Sequence, residues 1–95
     1  MSTTFDFGSG PVPAHRHVNH DGSLGGWVAD TATVSPTAWV SDDAWVSDDA
    51  WVYGNAWVSD DAWVYGHAEV YDNAKVSGNA MVSGNAMVSG DAVLT

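Results

Sequence analysis

Residues 44–55 read Ala44-Trp45-Val46-Ser47-Asp48-Asp49-Ala50-Trp51-Val52-Tyr53-Gly54-Asn55, two passes of one six-residue unit. The unit continues in both directions with no residue inserted or lost. Val stands at 28, 34, 40, 46, 52, 58, 64, 70, 76, 82 and 88, and Leu94 takes the next place. Two residues before each stands a small residue, Gly26 first and then an Ala at every sixth position from Ala32 to Ala92. A polar pair closes most units, as in Asp42-Asp43, Gly54-Asn55, Asp72-Asn73 and Gly84-Asn85.

A helix cannot use this period. Six steps of about 100° leave successive valines about 240° apart, on three separate stripes. Val, Gly, Asn and Asp are also poor helix formers. A strand can use it, because six is a multiple of two and places every Ala and Val on one face. The Gly-Asn and Asp-Asp pairs supply corners, since Gly and Asn tolerate positive φ. An Ala/Val strand this short cannot bury itself alone and must stack on copies of itself, as in a solenoid.

Composition agrees. Among 95 residues there are 14 Val, 13 Ala and 6 Trp but only two Leu and no Ile, which suits a narrow interior. Lys+Arg is 2 against Asp+Glu 12, a formal charge of −10. That argues against nucleic acid, whose phosphates need a basic footprint, and against an anionic membrane surface. No run approaches the ~18 apolar residues of a membrane-spanning helix, and residues 1–10 lack the features of a secretory signal. The absence of Cys removes disulfides and thiolate sites and leaves the compartment open.

The unit resembles the hexapeptide-repeat superfamily, which places an aliphatic residue first and a small one at the fifth position. Val40-Ser41-Asp42-Asp43-Ala44-Trp45 fits at both, and departs at the second position, which here is Ser or Tyr. The Val-Tyr-Gly-Asn-Ala and Val-Ser-Gly-Asn-Ala wording is similar to the uninterrupted arrays of phage and bacterial proteins. The resemblance implies an all-β fold, a left-handed parallel β-helix with three hexapeptides to a triangular coil. It covers residues 26–95, preceded by an irregular capping or docking segment, 1–25. The coils are then 26–43, 44–61, 62–79 and 80–95, a stack roughly 18 Å tall at ~4.8 Å per coil.

Folded by threes, the residues between Ala and Val form outward columns: Trp27, Trp45, Trp63, Met81; Thr33, Trp51, Glu69, Met87; and Trp39, Trp57, Lys75, Val93. Tyr53 and Tyr71 become neighbours. A Trp side chain can bury ~150–250 Å², worth roughly 4–6 kcal/mol at ~25 cal/mol/Å² as an upper bound. Columns of them in water point to a covering partner. The expected role is therefore structural: a non-enzymatic, self-assembling subunit of a fibre, spike or filament. Its contacts would come from Trp27, Trp39, Trp45, Trp51, Trp57, Trp63, Met81, Met87, Val93 and Leu94. The partner is the chain itself, as a trimer, a lateral bundle or a head-to-tail filament grown from coil ends. An extracellular appendage or a virion is the setting such a part suits. Residues 1–25 could instead cover one column.

Two other functions compete. Hexapeptide acyltransferases use a histidine base, and His67 is the only histidine in the array, although it stands at a corner where neighbours carry Asn or Asp. A carbohydrate-binding module would use Trp45, Trp63 and Tyr65. Ice binding fits less well, because Thr31-Ala32-Thr33 is the one Thr-x-Thr present. No resident cofactor is expected, and two metal sites are open to question. Asp42, Asp43, Asp60 and Asp61 share an edge where Ca²⁺ could bridge coils, against the alternative of a hydrated edge. His15 and His17, on one side of an extended strand, could hold a transition metal, against the alternative of imidazoles bonded to coil-end carbonyls. Gly22-Ser23-Leu24-Gly25-Gly26-Trp27 reads as a hinge into the first coil.

Overall fold

The computed structural model describes residues 3–8, 10–19, 21–41 and 43–94, and among these every regular element is a strand. Three longer strands come first, β1 (Thr4–Asp6), β2 (Pro11–Val18) and β3 (Leu24–Ala29). Two-residue strands follow at each repeat. They are β4 (Thr33–Val34), β5 (Trp39–Val40), β6 (Trp45–Val46), β7 (Trp51–Val52), β8 (Trp57–Val58) and β9 (Trp63–Val64). The last five are β10 (Glu69–Val70), β11 (Lys75–Val76), β12 (Met81–Val82), β13 (Met87–Val88) and β14 (Val93–Leu94).

Each coil spends one strand on each of three parallel sheets. The first sheet runs β3-β6-β9-β12, the second β4-β7-β10-β13 and the third β5-β8-β11-β14. Register is in steps of eighteen: Trp27 pairs with Trp45 and Val28 with Val46, and likewise around the tube. Four coils stack this way, so the chain is a three-sided β-solenoid in the register its repeat dictates. The rungs are tied by bonds such as Trp39 N–H to Ala56 O (2.9 Å) and Ser41 N–H to Val58 O (2.9 Å). Inside, Val28 and the seven array valines from Val40 to Val76 are fully buried, with the alanines between them. Fully burying one Val stabilises by about 1.5–3 kcal/mol, so the valine column supplies much of the driving force.

The corners show which residue of each polar pair does the turning. It is the first: Asp48, Asp60 and Asp72 have φ of 57°, 58° and 61°, and Gly54, Gly66, Gly78, Gly84 and Gly90 are also left-handed. Asn tolerates this region but here takes the second place. Each of these aspartates also ties coils together. The Oδ2 atoms of Asp48, Asp60 and Asp72 accept from the N–H groups of Gly66, Gly78 and Gly90, at 3.1, 3.1 and 3.2 Å.

The segment before the array is extended, as its Phe-Asp-Phe and Pro-Val-Pro stretches indicate, and it is also paired. β1 and β2 are antiparallel, with Phe5 opposite Val12, and β2 is antiparallel to β3, so a hairpin extends the first sheet. The expected hinge at Gly25-Gly26 is part of β3 and a place of close approach. A Cβ on Gly25 would lie 1.6 Å from Val40 O, and one on Gly26 1.9 Å from Ala44 O. Glycine is needed there because backbone meets backbone.

Candidate functional site

The hairpin carries a small aromatic core of its own, outside the tube. Phe5 and Phe7 sit one residue apart on either side of Asp6, with ring centroids 4.9 Å apart. Phe5 stacks on Trp27 (4.7 Å, 12°) and meets Trp45 edge-on (5.2 Å), while Phe7 meets Trp45 edge-on at 5.6 Å. Trp45 in turn contacts Trp63 at 5.4 Å. Phe7, Ala14 and Ala29 form the buried centre, and Trp27, Trp45 and Trp63 pack half-buried against it. The sequence treats all six indoles alike. The structure separates them: Trp27, Trp45 and Trp63 are half-buried against their own chain, the cover by residues 1–25 that the sequence leaves open.

Two columns stay open. On the second sheet Trp51 is 50% exposed and Met87 65%. On the third sheet Trp57 is 41% exposed and Val93 61%. Trp39 is half-buried by stacking on Trp57, with centroids 4.9 Å apart at 19°. Met81 of the first column lies beyond the hairpin and is exposed. Leu94 pairs with Val76 and so occupies the interior position of the final rung; it is partly open because that rung is the last in the stack. Tyr53 and Tyr71 are neighbours, as the eighteen-residue register requires, stacked at 5.0 Å and 4°. The Tyr53 hydroxyl donates to Glu69 Oε1 at 3.2 Å.

The turn from β2 to β3 covers the first rung of the third sheet. Val40 N–H donates to Asn19 Oδ1 at 3.0 Å, and His17 Nε2–H donates to Ala38 O at 2.9 Å. Since a carbonyl can only accept, this contact fixes the proton on Nε2 when the ring is neutral. These two side chains supply the acceptor and the donor that a preceding strand would have supplied.

His15 and His17 have different surroundings. The β2–β3 register shifts between Arg16 and Val18, so the two-residue alternation expected for an extended strand is broken. His15 is exposed with Nδ1 2.8 Å from Asp30 Oδ1, while His17 is buried on the coil-end carbonyl. Burial lowers the His17 pKa from its ordinary value of 6.5; the Ala38 bond opposes this, and His15 adds to it. On the acidic edges, Asp60 uses its carboxylate on Gly78, and Asp43 and Asp61 are exposed; Asp42 lies outside the described residues. Among the described residues no three His, Asp or Glu side chains converge on one point.

His67 is exposed at a corner, with Nδ1 3.7 Å from Asp49 Oδ2, too far for an orienting hydrogen bond. It lines a groove of about 800 Å³ between the hairpin and the tube, together with Trp63, Tyr65, Asp48 and Asp49. Trp63 donates its Nε1–H to Ser47 Oγ at 2.9 Å and contacts Tyr65 at 4.5 Å. Trp45, packed by Phe5 and Phe7, lines a second groove of about 560 Å³ together with Trp63, so Trp63 stands between the two grooves.

The sequence leaves open a cover over one column by residues 1–25 and imidazoles on coil-end carbonyls; what it does not specify is that Phe5 and Phe7 make the first and that Asn19 joins His17 in the second. The first had a signal, since Phe-x-Phe on a strand sends both rings to one side.

Three stretches, 50–66, 74–90 and 80–94, match the family model described as the YdcK beta solenoid repeat. No curated protein and no solved structure matches. The second and third stretches begin six residues apart, one rung of the array, and all three lie in the coils. The chain is a repeat β-solenoid.

Proposed function

We propose that this hexapeptide-type solenoid is a structural, non-enzymatic building block that associates with copies of itself through its two uncovered aromatic columns. One observation carries the reading. The hairpin half-covers the first Trp column with Phe5 and Phe7, while Trp51 and Trp57 stand 50% and 41% exposed on the other two faces. A fold that covers one such column leaves the other two as the surfaces whose burial on association is most favourable.

The same hairpin favours side-by-side contact over end-to-end stacking. It continues the first sheet, and His17 and Asn19 occupy the edge of the third, so a copy arriving at that end would have to displace them. A structural role also suits His67, which lacks the oriented partner that a general base needs. The test is size-exclusion chromatography with light scattering and electron microscopy, on wild type and on a Trp51→Ser/Trp57→Ser variant. Wild type is expected as discrete assemblies and the variant as folded monomer. Wild type that stays monomeric at the highest attainable concentration contradicts the proposal.

A further inference from the structure

We infer that the second face of one copy docks on the third face of the next, with axes parallel and coils level; this rests on the self-association proposed above and names its geometry. The two open columns match in three of their four rungs, the first setting Thr33 against Trp39. The second sheet presents Thr33, Trp51, Glu69 and Met87, and the third presents Trp39, Trp57, Lys75 and Val93. Set level, Trp51 meets Trp57, Glu69 meets Lys75 and Met87 meets Val93. Glu69 and Lys75 are the single Glu and the single Lys of the whole sequence, and both fall in the third coil of an open column. Among the described residues Lys75 makes no salt bridge. The Glu69 carboxylate is held at one oxygen by the Tyr53 hydroxyl, which leaves the other for a partner.

Three competing arrangements match poorly. A parallel twofold pair of second faces sets Glu69 against Glu69, and one of third faces sets Lys75 against Lys75, like charges in a drying interface. An antiparallel pair of second faces sets Glu69 against Trp51. Only the unlike, level pairing joins ring to ring, aliphatic to aliphatic and opposite charges to each other.

The corners agree. The edge shared by the second and third sheets carries Pro36-Thr37, Gly54-Asn55, Asp72-Asn73 and Gly90-Asp91, hence two carboxylates. Among the described residues the edge between third and first carries Asp43, Asp60 and Asp61, and that between first and second carries Asp30, Asp48 and Asp49. In the proposed contact copies converge on the edge with the fewest carboxylates, Asp72 and Asp91 of each copy, whose repulsion solvent and counterions at the ring axis must screen, and turn the hairpin outward. A prism with three equal sides rotates each neighbour by about 60°, so about six copies close a ring.

The experiment is native mass spectrometry with sedimentation velocity on wild type, Lys75→Glu, Glu69→Lys, the double exchange, an equimolar mixture of the two single variants, and Trp57→Ser. Far-UV circular dichroism checks each fold. Wild type is expected near six times the 10.0 kDa chain. Each single charge variant should weaken association on the order of 100-fold by setting like charges together. The double exchange and the mixture should both restore it, because each returns a carboxylate opposite an ammonium. If the single charge variants assemble like wild type while Trp57→Ser does not, self-association stands and this pairing is overturned. If wild type never leaves the monomer, both fall.

Discussion

Asp48, Asp60 and Asp72 hold positive φ with side chains that L-residues seldom place there, and each is repaid by a bond from a glycine N–H one coil further on. The spacing made corners legible in the sequence, but not which member of the pair turns. Gly-Asn and Asp-Asp are equally good turn formers on paper, and only stacked neighbours select the first residue. His17 shows the same limit. Its place on Ala38 O depends on a register shift in β2 that no local pattern announces. That placement has a consequence for pH. Burial depresses the His17 pKa, so the unfolded segment binds a proton more readily than the folded one. The cap is therefore at full strength above the ordinary value of 6.5 and weakens as pH falls through it. Amide exchange at Val40 should speed up between pH 7 and pH 5, after correction for intrinsic rates. A His17→Gln variant keeps a donor without titrating and should remove that acid-dependent component. An identical acid response in both proteins would refute the assignment.

At the scale of elements, the two-residue rungs were readable because their period is strict and their interior holds only Ala and Val. The hairpin was not, because its stability comes from long-range ring contacts rather than from a repeat. Its cohesion rests on Phe5 and Phe7 against three indoles. Removing a buried aromatic typically costs about 3–5 kcal/mol, here taken mostly from the hairpin because the coils keep their own core. A Phe5→Ala/Phe7→Ala variant should retain the coil circular dichroism while its tryptophan emission moves to longer wavelength as Trp27 and Trp45 become wet. Unchanged emission would mean that the hairpin does not cover them. Gly25 and Gly26 belong to this scale too: the hairpin can reach the first rung only because no Cβ stands between β3 and the coil beneath it.

For the whole molecule, the sequence tells how the tube is built and only in part what its surfaces do. Columns of Trp follow from periodicity alone, and their unequal covering follows from where the hairpin lands. A chain of net charge −10 resists crowding with its copies unless a face is nearly free of carboxylates. The open second and third faces meet that condition, with Glu69 as their one acidic column residue. Adding salt should therefore strengthen assembly over the low range, where screening relieves the general repulsion. The most direct test of the central claim is hydroxyl-radical footprinting read residue by residue along a dilution series. Oxidation of Trp51 and Trp57 should be high in dilute protein and fall several-fold as concentration rises, while that of the half-buried Trp27 and Trp45 changes little. Equal oxidation of Trp51 and Trp57 at every concentration would show that these rings remain in water, and the building-block account would be wrong.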